Sequence, residues 1–126
     1  MLTSTHAFSG LGVSDIAAAK DFYGTKLGLG VEDDMGGLRV QLPGGPALFV
    51  YPSPAFSPAG YTVLNFEVAD IEHAVRELAD AGIQLERYEG MHFDELGISR
   101  GKAENCGPDI AWFRDPAGNV LSVVEP

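Results

Sequence analysis

Few side chains in this sequence have the type and spacing that nucleophilic or disulfide chemistry needs. Its single cysteine, Cys106, excludes an intrachain disulfide and any Cys-x-x-Cys metal or redox motif. A nucleophilic Cys106 would need a base beside it, and the sequence places none nearby. We therefore expect a buried or half-buried, chemically inert thiol.

The three histidines lie far apart along the chain. His6 precedes Phe8 by two residues on a predicted strand and would share its face, where it could donate to a shifted metal site. An exposed residue at a frayed terminus is the favoured interpretation. His73 falls on the polar side of a predicted helix. His92 lies in a long loop and could reach over a binding site, although an exposed loop histidine is favoured.

Two glycine pairs match the first part of a dinucleotide-binding glycine pattern but do not complete it. Gly10-Leu11-Gly12 and Gly28-Leu29-Gly30 would need a third glycine where Asp15 and Asp33 stand, so no dinucleotide fingerprint is present. The first pair instead predicts open space on a strand face, and the second predicts the end of a helix. Asp33 and Asp34 are interpreted as solvated surface charge.

The acidic composition and the size limit the function further. With 8 Lys and Arg against 18 Asp and Glu, the formal charge of −10 disfavours nucleic acid, and the basic residues form no patch. No apolar run approaches the roughly 18 residues that a membrane span needs, and the N-terminus does not resemble a signal peptide. We expect a cytoplasmic protein with no membrane partner. The 126 residues suffice for one domain with its own core.

The elements that must position these residues occur twice. Val13-Ser14-Asp15-Ile16-Ala17-Ala18-Ala19 recurs as Val68-Ala69-Asp70-Ile71-Glu72-His73-Ala74, with Val, Asp, Ile and Ala in the same places. Farther on, the segment 43–50 recurs as 116–123, with Pro, Gly, Leu and Val aligned. We infer two structural repeats, the later one carrying extra residues in its middle.

Each half is predicted to contain a short strand, an amphipathic helix and then three strands. In the first half, Ala7–Val13 forms the strand, Ser14 or Asp15 caps the helix, and Leu27–Gly30 ends it. In the second half, Asp70 is the helix cap. The buried faces are predicted to be Ile16, Ala19, Phe22 and Tyr23 in the first helix and Ile71, Ala74, Val75 and Leu78 in the second.

Turn residues predict the remaining strands. Two hairpins are expected, Leu38–Leu42 with Ala47–Tyr51 and Ile110–Arg114 with Val120–Val124. The sixth strand is predicted at Gln84–Tyr88. The segment Glu89–Pro108 has no clean period and is predicted to be a long loop, which in a small domain is usually functional or mobile.

Several of these residues carry a resemblance to a known family. They are Val13-Ser14-Asp15-Ile16, Phe22-Tyr23 and Leu27-Gly28-Leu29 in the first half, and Phe66-Glu67-Val68-Ala69-Asp70-Ile71 and Asp115-Pro116-Ala117-Gly118-Asn119 in the second. Over the whole chain they resemble the vicinal oxygen chelate superfamily of glyoxalases, bleomycin-resistance proteins and dioxygenases. The resemblance implies an α+β fold in which two tandem βαβββ modules form a cup-shaped, eight-stranded mixed sheet with the helices outside. It implies one domain over residues 1–126, with module one at about 6–54 and module two at about 61–126.

Metal-dependent members of that superfamily carry His, Glu or Gln at equivalent positions on the first and last strands of each module. The resemblance assigns these positions to Phe8 and Phe49 in module one and to Val63 and Ser122 in module two. A divalent ion needs three or four N, O or S donors at about 2.0 to 2.6 Å, and these residues offer one hydroxyl. We therefore expect no metal and no cofactor, and catalysis is disfavoured but left open.

Strand alternation indicates which side chains would face the cup. Phe8 and Gly10 share a face of the first strand, and Phe49 and Tyr51 share a face of the fourth. Trp112 faces either the cup or the outer core, with the cup favoured because a fully buried indole N–H needs a partner. The predicted ligand-binding residues are Phe8, Gly10, Phe49, Tyr51, Val63, Asn65, Glu67, His92, Trp112 and Ser122.

Flat apolar walls with sparse polar groups are typical of a small-molecule site, although side chains could also simply fill the cup. We predict a metal-free protein that binds a small organic molecule, aromatic or, given the negative charge, cationic. One alternative is a metal-dependent glyoxalase, lyase or dioxygenase, which the absent ligands oppose. A third hypothesis is an accessory dimer with a filled cup. The resemblance also implies a homodimer, in which the partner chain could complete each cup.

Overall fold

The chain divides after Ser57 into two units, residues 1–57 and 58–126, that each begin with a strand and a helix and continue with three strands in unit one and four in unit two. The structure is a computed structural model and describes every residue from Met1 to Pro126. Unit one contains β1 (Ser9–Val13), α1 (Ile16–Lys20, continued by a π-helix over Asp21–Lys26), β2 (Gly30–Asp34), β3 (Gly37–Gln41) and β4 (Ala47–Pro52). Unit two contains β5 (Thr62–Glu67), α2 (Ile71–Asp80), β6 (Leu85–Glu86), β7 (Ser99–Arg100), β8 (Asp109–Arg114) and β9 (Val120–Glu125). The predicted α+β class is confirmed.

Unit one forms a four-stranded sheet in the order β1-β4-β3-β2, with β1 parallel to β4 and the other neighbours antiparallel. One face of this sheet packs against α1 and supplies the buried core residues Leu11, Val13, Leu38, Val40, Leu48 and Val50. Side chains alternate along a strand, so the opposite face presents Gly10, Arg39, Phe49 and Tyr51. The sheet therefore has an apolar inner face and a mixed, accessible outer face.

Asp15, one of the two predicted caps, is the N-cap of helix α1. Its Oδ1 accepts hydrogen bonds from two amides of the first turn at 3.0 and 3.2 Å, which satisfies donors that lack a partner within the helix. The helix then widens, because the Leu27 amide donates to the Phe22 carbonyl, five residues back, at 2.9 Å. A wider turn brings consecutive side chains closer to one face, and Phe22 and Tyr23 are both buried.

Unit two forms a sheet in the order β5-β9-β8-β6, and β7 pairs with β8 as well. Helix α2 contacts β8 and β9 through the apolar face predicted from the sequence, Ile71, Ala74, Val75 and Leu78, all buried. Asp70 caps the helix by accepting a hydrogen bond from the His73 amide at 3.2 Å. Gly82 follows the last turn with a φ of +79°, a conformation that favours glycine.

Three strand predictions differ from the structure. The strand predicted at Gln84–Tyr88 shortens to Leu85–Glu86, and an unpredicted strand, Ser99–Arg100, lies inside the predicted long loop. The result is nine strands in two sheets of four and five, not eight in one. A strand of two residues has no period that a sequence could display. The first strand starts at Ser9, so Phe8 lies just before it.

Neither helix combines the length and the hydrophobicity that a membrane-spanning segment requires.

Candidate functional site

The accessible face of the unit one sheet carries a pocket of about 560 Å³. Its walls are mostly apolar and its polar groups few: it is lined by His6, Phe8, Asp34, Met35, Arg39, Ala47 and Phe49. Phe8 is 62% exposed and Met35 93% exposed, so large apolar side chains face solvent around the opening. A cluster of exposed apolar side chains around a concavity is typical of a binding surface.

Two pairs of rings build the aromatic part of this face. Phe49 and Tyr51 lie on β4 with ring centroids 6.0 Å apart and planes at 15°. His6 and Phe8 lie before β1 with centroids 6.2 Å apart and planes at 23°. The two residues of each pair are two positions apart in sequence, so alternation along an extended chain places both rings on the same side. His6, interpreted from the sequence as an exposed terminal residue, is thus part of the pocket lining.

An ion pair supplies the charged groups of the unit one pocket. Arg39 lies opposite Phe49 in the β3–β4 register, and its Nε lies 3.7 Å from Asp34 Oδ2. Arg39, Asp34 and Met35 were missed by the sequence analysis, which treated Asp34 as solvated surface charge. Alternation with the buried Leu38 and Val40 is the signal that could have placed Arg39 on this face.

Glycine has two different roles beneath this face. A Cβ at Gly37 would lie 2.4 Å from the Val50 carbonyl oxygen and 3.1 Å from the Phe49 ring, so this position admits only glycine without a shift. The sequence predicted open space at Gly10 and Gly12, and this is wrong in part. A Cβ at Gly10 would meet the Tyr51 ring at 3.5 Å, and one at Gly12 would meet the Phe56 ring at 3.5 Å. Rings of the same unit cover both glycines.

In unit two, three neighbouring strands bring Asn65, Ser122 and Trp112 into one row. Ser122 pairs with Asn65 on β5 and with Trp112 on β8. Its hydroxyl donates a hydrogen bond to Asn65 Oδ1. Ser122 is fully buried while Asn65 is exposed, so the serine does not offer a free oxygen to a ligand.

A register shift in β5 changes which residue meets Trp112. Thr62 pairs with Val120 and Leu64 with Leu121, which leaves Val63 as the extra residue of a bulge. The Trp112 Nε1 donates to Thr62 Oγ1 at 3.0 Å. Simple alternation predicted Val63 on this face, and it missed Thr62 because a bulge interrupts the period of two.

Trp112 is surrounded by aromatic rings and lines a second pocket. Tyr88 approaches it at 5.6 Å with planes at 70°, and Phe93 at 6.2 Å with planes at 79°, both edge-to-face arrangements. The pocket measures about 440 Å³ and is lined by Pro58, Ala59, Gly60, Tyr61, Thr62, Tyr88, Trp112, Arg114 and Val120. Burial raises the pKa of the Tyr88 hydroxyl despite the nearby positive charge of Arg114, so this hydroxyl stays protonated and able to donate.

The other predicted site residues are not gathered in these pockets. Only Phe8, Phe49 and Trp112 of the predicted set line them. The rest are divided between the units: Gly10 and Tyr51 in unit one, and Val63, Asn65, Glu67, His92 and Ser122 in unit two. Cys106 is exposed, which corrects the expected buried or half-buried thiol, since the loop around it leaves the core.

The predicted loop Glu89–Pro108 is tied down at its centre by Arg100. The Arg100 guanidinium bonds Asp94 Oδ2 at 2.9 Å, Glu72 Oε1 on α2 at 2.6 Å and Asp109 Oδ2 on β8 at 3.4 Å. These hydrogen bonds, of which the one to Asp94 has the largest effect, raise the pKa of the Arg100 guanidinium above its ordinary value. Ile98, between Asp94 and Arg100, is fully buried. The segment 94–100 is therefore a fixed part of unit two.

Asp94 organises the turn within that segment. Its Oδ1 accepts from the amides of Leu96 and Ile98, each at 2.9 Å, while its Oδ2 faces Arg100. Partial burial raises the pKa of the Asp94 carboxyl, but the bonds from Ile98, Arg100 and Leu96 stabilise the charged form and hold the pKa below its usual value. Asp94 is thus ionised over the physiological pH range.

Comparison with known proteins places these features in a family. The family model described as the glyoxalase/bleomycin resistance protein/dioxygenase superfamily matches residues 5–123. The chain belongs to this superfamily. The resemblance inferred from the sequence is thereby confirmed.

Solved structures share the fold over the whole chain. TnmS3, an antibiotic binding protein from Streptomyces sp. CB03234, is 22% identical with a TM-score of 0.68, covering 100% of this chain and 98% of its own. A glyoxalase family protein from Enterococcus faecalis is 24% identical with a TM-score of 0.68, covering 99% and 100%. A superfamily member from Sphaerobacter thermophilus DSM 20745 is 23% identical with a TM-score of 0.66, covering 97% and 98%. A search of curated proteins found no significant match.

The residues of this chain do not fit the metal ion that some superfamily members carry. Phe8 and Phe49 are hydrocarbon rings, Val63 is aliphatic, and the Ser122 hydroxyl is buried and bonded to Asn65. No group of three or more His, Cys, Asp or Glu side chains lies close enough together to hold an ion. A divalent cation needs three or four N, O or S donors, and the side chains at these positions do not supply them.

Proposed function

We propose that this superfamily member binds a flat, largely apolar small molecule in the pocket of unit one, without a metal. The observation that carries the proposal is the pocket itself, about 560 Å³ in volume and built on Phe8, Phe49 and Met35. This volume lies within the range of about 300 to 1,000 Å³ that is usual for small-molecule sites. Aromatic rings provide a large contact area with few rotatable bonds to fix on binding.

The charges around the pocket bear on the kind of ligand. Arg39 and Asp34 stand together at the pocket and largely cancel each other, so the pocket has weak charge selectivity of its own. The whole chain carries a net charge of −10, whose field favours the approach of a cation. We therefore propose an aromatic ligand that is neutral or cationic, with aromatic stacking supplying most of the affinity.

One of the comparisons supports small-molecule binding as the function, and the side chains present argue against metal-dependent catalysis. TnmS3, which shares the fold, is an antibiotic binding protein. A glyoxalase, lyase or dioxygenase reaction would need an ion to polarise vicinal oxygens, and the donor set for that ion is lacking. A homodimer, a cytoplasmic location and one domain over residues 1–126 are proposed with this function. Light scattering of the purified protein tests the dimer.

The binding proposal is tested on protein purified without a histidine tag. Melting temperature is measured with neutral N-phenylnaphthylamine and with planar aromatic cations, and metal content by elemental analysis. A ligand present at about 100 times its Kd stabilises the fold by about 2.7 kcal/mol. In a domain of this size that raises Tm by roughly 8 to 15 °C.

Two variants localise the binding. Phe49→Ala removes a wall of the unit one pocket and is expected to weaken binding about tenfold or more, as for a central aromatic contact. Met91→Ala is the control, because Met91 is 45% exposed and lines neither pocket. A protein stabilised by no compound would favour the accessory dimer with a filled cup. One bound metal per chain would restore the enzyme hypothesis.

A further inference from the structure

Trp112 is held on three sides within unit two. Its N–H is bonded to Thr62, and the rings of Tyr88 and Phe93 stand edge-to-face with it. Thr62 lies on β5 and Tyr88 only two residues after β6, whereas Phe93 lies in the middle of the segment between β6 and β7. The position of Phe93 therefore depends on what holds that segment in place.

The neighbouring Asp94 provides that hold. Its Oδ2 is bonded to Arg100 Nε, and Arg100 is bonded in turn to Glu72 on α2 and Asp109 on β8. The Asp94 amide donates to the Ile98 carbonyl at 2.9 Å, and Ile98 is fully buried. Arg87 adds a second contact, with its Nη1 donating to the Asp94 carbonyl at 3.1 Å and its guanidinium 6.0 Å from the Phe93 ring.

From this geometry we infer that Asp94 and Arg100 are positioning residues that hold Phe93 against Trp112 and so fix the aromatic wall of the unit two pocket. Neither residue lines that pocket, so both act on a ligand only through the rings. The inference deepens the proposed function by adding the unit two pocket as a second, preorganised aromatic surface, and its ligand-binding part rests on that function. Fixing a ring before binding lowers the entropy lost on binding.

Trp112 is the only tryptophan of the chain, so its fluorescence reports directly on this wall. Asp94→Asn is the sharpest variant, because the amide oxygen still accepts from Leu96 and Ile98 while the amide nitrogen now faces Arg100. In ligand-free protein we expect a shift of Trp112 emission to longer wavelength and steeper quenching by acrylamide. Binding of N-phenylnaphthylamine to the unit two pocket, measured in a Phe49→Ala background that removes the wall of the unit one pocket, is expected to weaken about 2- to 10-fold, the equivalent of one edge-to-face contact.

Glu72→Gln is the matched control. It neutralises another carboxylate on the same guanidinium but leaves the bond between Asp94 and Arg100 in place. Its Trp112 emission is expected to match the natural protein. Phe93→Leu tests the contact by a second route, since Phe93 is only half-buried and the variant keeps an apolar side chain there. It should reproduce the change in emission and quenching even if Asp94→Asn fails to fold.

The outcomes separate this inference from the proposed function. Unchanged Trp112 emission and quenching in Phe93→Leu, or in a cooperatively folded Asp94→Asn, would overturn the inference whether or not the natural protein binds a probe. A changed emission in both variants supports it. If the natural protein then binds no aromatic probe, the binding proposal fails while the positioning role of Asp94 and Arg100 stands.

Discussion

The hydroxyl of Ser122 on β9 donates a hydrogen bond to Oδ1 of Asn65, its register partner on β5. The resemblance drawn from the sequence assigns Ser122 to a family ligand position, yet its oxygen is fully buried and directed at a neighbouring strand. The polar group that remains at this position thus joins two strands. This relationship leads to the first of four predictions.

Asn65→Ala is expected to destabilise the protein more than Ser122→Ala. The first variant leaves a buried hydroxyl without its acceptor, at a cost of about 1 to 3 kcal/mol. The second leaves an exposed amide that water can satisfy, at a cost of about 0.5 to 1.5 kcal/mol. Urea unfolding followed by circular dichroism measures both free energies. Equal costs, or the reverse order, would contradict the buried donor role of Ser122.

Gly37→Ala is expected to destabilise unit one and disturb the aromatic wall of its pocket. The new Cβ would lie 2.4 Å from the Val50 carbonyl oxygen, so the β3–β4 pairing must shift. Forcing a methyl group into a packed position costs about 1 to 3 kcal/mol. Gly45→Ala is the control, because the nearest atom there is 3.9 Å away. Thermal unfolding of both variants should show a lower Tm for Gly37→Ala and an unchanged Tm for Gly45→Ala.

The contribution of Asp94 to stability is expected to vanish in acid. Its pKa in the folded protein lies below the ordinary value of 3.8, because the amides of Ile98 and Leu96 and the guanidinium of Arg100 outweigh the opposing effect of burial. A carboxyl whose pKa is lower in the folded than in the unfolded protein contributes its full stabilisation at pH values above the unfolded pKa. This stabilisation is lost as the pH falls through the folded pKa.

The Asp94→Asn variant measures this dependence. Its unfolding free energy should differ from that of the natural protein by a constant amount between about pH 7 and pH 5, and by progressively less below about pH 4. Urea titrations at these pH values give the difference. If the difference in unfolding free energy were unchanged at about pH 3, the ionised Asp94 carboxylate would contribute nothing to stability.

Removing divalent metal is expected to leave the fold unchanged. The positions Phe8, Phe49, Val63 and Ser122 provide no set of donors, and no other cluster of His, Cys, Asp or Glu does so. Melting curves with and without a chelator should coincide, because a ligand that binds only the folded state would otherwise raise Tm. A fall in Tm after chelation that zinc or nickel reverses would show that the folded chain does hold a metal ion.

Local sequence patterns were sufficient for the helices and for the larger strands. The cap at Asp70 and the apolar face from Ile71 to Leu78 could be predicted because helix caps and the helical period act between residues a few positions apart. The hairpin around Asp115–Asn119 follows in the same way, since Asp115 Oδ1 accepts from amides within its own turn. The internal repeat then fixed the order of elements in both halves.

The partners of individual side chains were beyond those patterns. Thr62 reaches Trp112 only because a bulge at Val63 changes the register of β5, and Arg100 joins three carboxylates, one each from α2, β8 and the segment between β6 and β7. His6, Asp34 and Met35 line a pocket because strands bring their chain segments together. Sequence spacing does not predict such contacts, because they depend on packing between residues that are distant along the chain.

The sequence by itself therefore determined the superfamily, the repeat of elements and the presence of hydrocarbon side chains, which cannot hold a metal, at Phe8, Phe49 and Val63, because residue types at repeated positions are visible without coordinates. The tertiary structure alone decided that the Ser122 hydroxyl is buried against Asn65, that Tyr51 covers Gly10, and that the loop residue Asp94 is anchored through Arg100. These are contacts across strands and between elements, and their geometry is fixed only when the whole core packs.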